Sequence, residues 1–433
     1  MTAPATSPGQ LRRVLGLWQL VMCGIVMVQP TAPMPLFGVV SVEARGHVVT
    51  AVLIGLVAML FTALSYGRMS QVYPSAGSAY TYVGKTLHPA LGYVAGWSMI
   101  ADYVLNPVIC TVWCSKAAMN FVPQIPFPAW AIFFALLFTM LNLRGIQQSA
   151  RTNTVVAVGL GVVIVVFLLA AARYILGVPD VSWSRPFYDP ETFSWAVVST
   201  GTSLAVLTYI GFDGISTLSE EVREPERNVL RGTVLTCLII GVLSAIQVYA
   251  GQLVWPEWGQ FPDVDTAFVH IAGRAGGAAL FATINFALLV ATVGSGIGAQ
   301  IAAARLLFGM ARDGALPAPL AAVSPQTGIP RNNILLTGAT TLIGALLLSY
   351  QTGAELLNFG AFIGFMGVNA AAFVHGWLRN PNRTWTYGVP PALGFIICAW
   401  IWWSLRTPAK LAGAAWLAVG IAYGLWNWRR SQK

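Results

Sequence analysis

One acidic residue, Asp102, lies deep inside a long apolar stretch, Trp97-Ser-Met-Ile-Ala-Asp-Tyr-Val-Leu-Asn-Pro107. If this stretch crosses a bilayer, an ionised carboxylate there costs about 3 kcal/mol even on a lenient insertion scale. No Lys or Arg stands near Asp102 in the sequence. A carboxylate so placed is suited to attract an organic ammonium or to carry a proton. A hydrogen bond to a neighbouring helix is the alternative interpretation.

Other residues in apolar stretches add candidate contacts. Tyr103 and Asn106 supply polar atoms beside Asp102, although Tyr103 points away from the Asp102 face of a helix. The rings of Tyr103, Tyr209 and Phe212 could stack on a cation, whereas most aromatic residues in such stretches serve packing. Asn285 is a further polar candidate in a later apolar stretch.

A second set of acids follows further along the chain. Asp213 stands within Gly211-Phe-Asp-Gly214, where a helix cap and a ligand contact are both open roles. Glu220 and Glu221 come shortly afterwards, close to several arginines, and are candidate gate or coupling residues. A solvated helix end is the alternative for these two glutamates.

The composition indicates the elements that must position these residues. The 433 residues are 56% hydrophobic and only 9% charged, against about 25% charged in a soluble domain. This predicts a polytopic membrane protein whose partner is the lipid bilayer. The net charge of +9 does not predict nucleic-acid binding, because the basic residues lie in short segments between apolar stretches rather than in one patch.

Hydropathy predicts twelve membrane spans. They lie near 15–40, 48–68, 88–120, 127–144, 154–177, 193–218, 232–255, 278–310, 333–350, 352–377, 389–405 and 409–428. With the N-terminus inside, most of the 24 Lys and Arg residues fall on the inner side. The positive-inside rule therefore predicts a protein of the cytoplasmic (inner) membrane with both termini in the cytoplasm.

Two of these spans are interrupted near their middle. Three prolines within residues 30–35 cannot continue the first helix, because each lacks an N–H and its ring clashes with the preceding turn. The glycines of 211–214 interrupt the sixth span. Interrupted helices at matching places in two halves of a membrane protein indicate a binding site at the midplane. A simple proline kink and close helix packing are the alternative.

The sequence lacks the motifs of several enzyme classes. It has no Gly-x-x-x-x-Gly-Lys-Ser/Thr phosphate loop. Its four histidines are far apart, which gives no metal-ligand pair, and no nucleophile–base set lies within the spans. We therefore expect a secondary transporter with no cofactor and no metal, and not an enzyme.

Several segments resemble the amino acid–polyamine–organocation permeases. They are Tyr73-Pro-Ser-Ala-Gly-Ser-Ala-Tyr-Thr-Tyr82, Gly211-Phe-Asp-Gly214 and Arg305-Leu-Leu-Phe-Gly-Met-Ala-Arg-Asp-Gly314. Leu17-Trp-Gln-Leu-Val-Met22 and Leu357-Asn-Phe-Gly-Ala361 are most similar to the bacterial putrescine importers. The resemblance implies an all-α protein of twelve transmembrane helices, with LeuT-like inverted five-helix repeats plus two extra helices, and alternating access.

The chain departs from this family pattern at three places. Amino-acid members carry a Gly-Ser-Gly-like run at the first break, whose N–H groups hold the substrate carboxylate, whereas Thr31-Ala-Pro-Met-Pro35 offers few donors. This favours an amine. Pro35 stands where putrescine importers tend to have Asp, which leaves fewer acids for a second ammonium. Leu160 stands where some proton-coupled relatives have Lys, so lysine-dependent coupling is not expected.

The resulting prediction is a permease that imports a small organic cation, a polyamine such as putrescine or a related amine. The alternative function is an amino acid permease or exchanger. The sequence does not decide whether transport is coupled to protons, nor the oligomeric state. The predicted units are tail 1–14, core 15–377 with repeats 15–177 and 193–377, extra helices 389–428, and tail 429–433. The candidate substrate contacts are Gln29, Thr31, Ala32, Asp102, Tyr103, Asn106, Tyr209, Gly211, Phe212, Asp213 and Asn285, with Asp102, Glu220 and Glu221 for gating or coupling.

Overall fold

The structure is a computed structural model that describes residues 15–73, 78–145, 150–219, 222–324 and 329–431. This part of the chain folds into fifteen α-helices with short 3₁₀ and π segments. In order they are α1 (Leu17–Val28), α2 (Pro33–Glu43), α3 (Val48–Val72), α4 (Ser78–Thr86), α5 (Pro89–Met119), α6 (Phe127–Leu143), α7 (Ala150–Leu176), α8 (Trp195–Ala205), α9 (Gly214–Thr217), α10 (Pro225–Val254), α11 (Ala267–Arg312), α12 (Arg331–Leu347), α13 (Tyr350–Phe373), α14 (Trp385–Trp403) and α15 (Thr407–Ser431).

The helices confirm a multi-pass membrane protein that is nearly all α-helical. Within the described ranges, eight helical segments are long and apolar enough to cross a membrane, or nine when α1 and α2 count as one bent span. Helices α5, α6 and α12 lie in the three remaining predicted spans, 88–120, 127–144 and 333–350, but they are not both long enough and apolar enough to be counted as membrane-crossing helices. The count of twelve spans and the repeat arrangement therefore stay predictions.

The first interrupted span bends by 55° between α1 and α2. Helix α1 ends at Val28, and Gln29 takes a φ of 73° just before Pro30, because a residue that precedes proline disfavours the helical conformation. Pro33 and Pro35 lie in the first turn of α2, where a missing N–H loses no helical bond. The break is therefore 29–32. The expectation that all three prolines interrupt the helix is wrong for Pro33 and Pro35, which begin the second half.

The second interrupted span changes conformation in three steps. Helix α8 gives way to a 3₁₀ turn, Val206–Tyr209, and Ile210 is then extended with ψ of 132°. Gly211 has a φ of 112°, a region that residues with a side chain rarely adopt. The short helix α9 resumes at Gly214. The break predicted at 211–214 is thus found at 210–213.

The two breaks lie against each other. A methyl group built on Gly211 would stand 3.1 Å from the Met27 carbonyl oxygen and 3.5 Å from the Val28 Cα atom. The residues just before α1 and after α9 are also joined, because the Arg223 N–H donates to the Leu15 carbonyl at 2.8 Å. The chain therefore brings two stretches of irregular backbone together, as the sequence predicted.

Helix α5, which carries Asp102, is held by close packing against α13. A methyl group on Gly360 would overlap the Ser98 carbonyl oxygen, and one on Gly364 would press on the Met99 sulfur. Small residues at such a seam let two helices approach closely in a membrane. This close contact with α13 holds α5 in position at Ser98 and Met99, about one helical turn before Asp102.

Candidate functional site

Asp102 and Asp213 form an acid pair where α5 meets the second break. Each residue is only 4% exposed, and Tyr103, the residue that follows Asp102, donates a hydrogen bond to the Asp213 carboxylate. Among the described residues, no Lys, Arg or His forms an ion pair with either carboxylate. Two buried carboxylates without a cation are unfavourable unless a proton or a ligand neutralises them.

Tyr103 connects α5 with the second break. Its hydroxyl donates to Asp213 Oδ2 at 3.2 Å, so the ring that points away from the Asp102 face reaches the other acid instead. This hydrogen bond orients the Asp213 carboxylate and consumes one of its lone pairs. The sequence indicates Asp102, Tyr103 and Asp213 as separate candidates. The structure joins Tyr103 to Asp213 by this hydrogen bond, and Tyr103 is the residue next to Asp102.

The turn of α5 that follows Asp102 is modified by Pro107. Because proline has no N–H, the Tyr103 carbonyl loses its usual helical donor four residues later. Asn106 is half-buried and accepts a weak hydrogen bond from the Cys110 thiol at 3.4 Å. Free acceptor capacity therefore lies beside Asp102 on its own helix as well as in the breaks.

Glutamine side chains tie the first break to two neighbouring helices. The Gln29 amide nitrogen donates to the Ala291 carbonyl of α11 at 2.9 Å. The Gln247 amide of α10 donates to the Pro30 carbonyl at 2.9 Å. Gln29 therefore acts here as a link between helices, and the Pro30 carbonyl already has a protein donor.

The rest of the first break also satisfies much of its own backbone. The Ala32 N–H donates to the Gln29 carbonyl at 3.2 Å, and the Met34 N–H donates to the Thr31 carbonyl at 3.0 Å. Thr31 is buried, and Ala32 is half-buried. Within the described chain, the Val28 carbonyl has no such donor. The carbonyls of Gln29, Pro30 and Thr31 thus already accept hydrogen bonds from the protein.

The two aromatic residues of the second break point in different directions. Phe212 is fully buried, and its ring centre lies 5.6 Å from those of Tyr66 and Phe365. The Tyr209 hydroxyl donates to the Val52 carbonyl of α3 at 2.7 Å, and its ring packs on Gly55. Tyr209 is therefore occupied in helix packing, and we do not retain it among the proposed cation contacts.

Asn285 lies apart from the acid pair. Its amide donates to the Ala117 carbonyl at 2.8 Å and accepts from the Asn120 amide at 3.2 Å. Ala117 is fifteen positions beyond Asp102, which corresponds to about 22 Å along a helix. Asn285 thus joins α11 to the far end of α5 and is not retained as a substrate contact.

Two of the sequence candidates, Glu220 and Glu221, lie outside the described residues.

In the part of the chain that the structure covers, no group of three or more His, Cys, Asp or Glu residues could hold a metal ion. Two carboxylates and a phenol are groups suited to bind a cation or a proton.

Sequence reasoning missed an aromatic cluster around Phe212. Its members are Tyr66 of α3, Tyr82 of α4, Phe212 and Phe365 of α13, and all four are buried. Tyr66 lies 6.1 Å from Tyr82 and 6.1 Å from Phe365, ring centre to ring centre. The available signal was Tyr66, a tyrosine inside an apolar stretch, where a phenylalanine would have satisfied packing alone.

A third buried acid, Glu355 of α13, has its own cation. Arg406, between α14 and α15, lies 3.3 Å from Glu355 and 3.1 Å from Glu43 at the end of α2. The Gln351 amide donates to Glu43 at 2.6 Å and to Glu355 at 3.1 Å. We call these four residues the Arg406 cluster. It joins the extra helices to the bent first span.

The chain is similar to membrane transporters over nearly its whole length. A family model described as amino acid permease matches residues 24–423. The chain is 35% identical to the low-affinity putrescine importer PlaP of Escherichia coli (strain K12), covering 97% of this chain and 94% of that protein. It is 28% identical to the methylthioribose transporter of Bacillus subtilis (strain 168), with 97% and 95% covered. It is 24% identical to the branched-chain amino acid permease BcaP of the same organism, with 100% and 97% covered.

Proposed function

We propose that this chain, which belongs to the amino acid permease family, is a secondary active transporter that imports a small organic cation. The substrate proposed is a polyamine such as putrescine, or a related amine. A permease function and a multi-pass membrane location follow from the family and from the apolar helices. The substrate class, the direction and the coupling are the parts that we infer.

The observation that carries the proposal is the acid pair. Asp102 and Asp213 are buried, and Tyr103, next to Asp102, donates to the Asp213 carboxylate; neither acid has a basic partner among the described residues. An ammonium placed between them would neutralise charge and donate hydrogen bonds to carboxylate oxygens, which are strong charge-assisted bonds. Pro35 leaves fewer acids for a second ammonium, and the burial of Asp213 together with its hydrogen bond from Tyr103 supports Asp213 as the second acid beside Asp102.

The first break supports an amine over a zwitterion. A substrate carboxylate needs free backbone N–H groups at a helix start. Pro33 and Pro35 have none, and the Met34 N–H already donates to the Thr31 carbonyl. Asp213 at the second break would repel a carboxylate. An amino acid permease or exchanger, suggested by the amino-acid relatives, is therefore the second candidate.

The proposed transport cycle uses these groups in sequence. An ammonium enters from outside and pairs with Asp102 and Asp213, while Tyr103 holds the Asp213 carboxylate in orientation. The unpaired carbonyls near Val28 and Tyr103 accept remaining N–H groups, and Phe212 offers a ring to the cation. Rocking of repeats 15–177 and 193–377 then opens the cytoplasmic side, by alternating access.

Proton coupling, if present, would involve the same acids. Leu160 is buried and lines an apolar groove between α7 and α11, so this position provides no titratable amine. A proton on the acid pair and a bound ammonium neutralise the same charge. We therefore expect proton and substrate to compete at Asp102 and Asp213.

A matched set of ligands tests the proposal. Purified protein in liposomes is assayed for uptake of labelled putrescine at two pH values, in competition with n-butylamine and ornithine. Butylamine removes one ammonium from putrescine, and ornithine adds one carboxylate. We expect putrescine to compete best, and ornithine to be the weakest. Uptake of zwitterionic amino acids alone would contradict the amine proposal.

A further inference from the structure

One hydroxyl beside the acid pair has no partner in the described protein. The Tyr66 side chain is fully buried, and its Oη atom forms no hydrogen bond with any described residue. Such a group loses hydrogen bonds to water on burial and gains none in return. Most buried hydroxyls in proteins have a partner. The Tyr82 hydroxyl of the same cluster also has none among the described residues, but of the two tyrosines Tyr66 is the one whose ring packs on Phe212, next to Asp213.

The position of Tyr66 indicates what that partner is. The Tyr66 ring centre lies 5.6 Å from that of Phe212, the residue that precedes Asp213 in the second break. A cation neutralising the acid pair would therefore be held near the aromatic cluster that contains Tyr66. The Tyr66 oxygen is the negative end of the hydroxyl dipole and accepts hydrogen bonds.

The surrounding rings fix the Tyr66 hydroxyl in place. Phe212, Tyr82 and Phe365 meet the Tyr66 ring at interplanar angles of 81°, 76° and 80°, all edge to face. Edge-to-face contacts on three sides restrict the rotation of the ring and hence the direction of its Oη atom. A phenylalanine at position 66 would keep these contacts and lose only the hydroxyl.

We propose that the Tyr66 hydroxyl accepts a hydrogen bond from an N–H group of the bound amine, which makes Tyr66 a specificity-determining residue for primary amines. This inference rests on the proposed amine transport. A primary ammonium has enough N–H groups to serve both carboxylates and the phenol. A fully N-methylated ammonium has at most one, so it would leave the Tyr66 hydroxyl without a donor.

The test compares Tyr66→Phe with wild type and with Tyr209→Phe in liposomes. Uptake of putrescine and of N,N,N′,N′-tetramethylputrescine is measured for each protein. We expect the KM of Tyr66→Phe for putrescine to rise about five- to tenfold, while its KM for the methylated diamine stays unchanged. Tyr209→Phe removes a hydroxyl that the Val52 carbonyl already accepts from, so its ratio of the two KM values should equal that of wild type.

A second readout separates a ligand contact from a structural role. Without ligand, Tyr66→Phe should melt at or above the wild-type temperature, because an unsatisfied buried hydroxyl is removed. Added putrescine should raise its melting temperature less than it raises that of wild type. If the wild type imports putrescine and Tyr66→Phe has the same KM, the inference about Tyr66 is overturned and the proposed function stands. If the wild type takes up no amine, both fail.

Discussion

The protein buries acids in two regions, and the two regions treat them differently. In the Arg406 cluster, Glu355 is 2% exposed and has Arg406 at 3.3 Å and the Gln351 amide at 3.1 Å. In the acid pair, Asp102 and Asp213 are each 4% exposed; the Tyr103 hydroxyl donates to Asp213, and no described Lys, Arg or His forms an ion pair with either acid.

This difference separates a structural acid from a candidate binding acid. A buried ion pair with additional hydrogen bonds can be satisfied within the protein, and its removal leaves a partner unpaired. Among the described residues no cation pairs with either acid of the acid pair, so a proton or a bound cation is needed to balance a charge there. Burial alone does not distinguish the two regions, because both are almost fully enclosed. The presence or absence of a resident cation does.

The largest effect is expected at the acid pair. Asp213→Asn keeps the acceptor for the Tyr103 hydroxyl but removes one charge. Because charge-assisted hydrogen bonds contribute about 1.5–3 kcal/mol, putrescine uptake at low concentration should fall about 10- to 100-fold. Asp263→Asn is the control, because Asp263 lies in the loop between α10 and α11 and pairs with Lys116 at 3.0 Å. If putrescine uptake fell equally in Asp213→Asn and Asp263→Asn, the acid pair would not differ in function from an acid that is paired with a protein cation.

The next effect tests whether the breaks must hold the acid pair in place. Gly211→Ala forces a side chain into a φ of 112° and against the Met27 carbonyl. Strained backbone of this kind costs about 1–3 kcal/mol, so both thermal stability and uptake should fall. Gly214→Ala is the matched control, because its methyl group would meet only the flexible Met27 thioether at 3.3 Å. An unchanged melting temperature in Gly211→Ala would contradict the argument.

A smaller effect is expected in the Arg406 cluster. Arg406→Gln leaves Glu355 buried without a cation. Since Arg406 is itself 39% exposed at the side chain, solvent screens part of the loss, and destabilisation of about 1–2 kcal/mol is expected. Denaturation should report this loss, while the KM for putrescine stays unchanged. A raised KM with an unaltered melting temperature would place Arg406 in substrate handling instead.

The smallest effect concerns an exposed ion pair in the loop before α8. The pKa of Asp189 is lowered, chiefly because the Arg185 guanidinium donates to it at 2.8 Å. A lowered folded pKa contributes stability above the unfolded value of about 3.9, and this stability is lost as the pH falls through the folded value. Arg185→Gln should reduce stability at pH 7 by less than about 1 kcal/mol. The difference should vanish in strong acid, and a difference that persists there would argue against this ion pair.

The sequence predicted the parts of the site that depend on backbone chemistry. Proline and glycine impose local conformations, so the two breaks could be located to within a few residues. An acid in an apolar helix has a high cost, which identified Asp102. Pro33 and Pro35 were misassigned because proline is unfavourable inside a helix and favourable in its first turn, and sequence alone did not show where α2 begins.

The parts that sequence could not supply depend on contacts between distant segments. Tyr103 and Asp213 are 110 positions apart, so their hydrogen bond has no local signal. Tyr209 and Asn285 were plausible by residue type, but their polar groups are used by Val52 and Ala117. Tyr66 is not a sequence candidate, because an aromatic residue in an apolar helix usually indicates packing. The fold is needed to show that its hydroxyl has no hydrogen-bond partner among the described residues.

The most direct test of the distinction measures putrescine binding to purified Asp102→Asn and Glu355→Gln side by side. Each variant neutralises one buried carboxylate with little change in volume. Titration calorimetry should show affinity reduced about 10- to 100-fold in Asp102→Asn, and wild-type affinity in Glu355→Gln. The account would be contradicted if Asp102→Asn bound putrescine as tightly as wild type, or if Glu355→Gln lost as much affinity as Asp102→Asn.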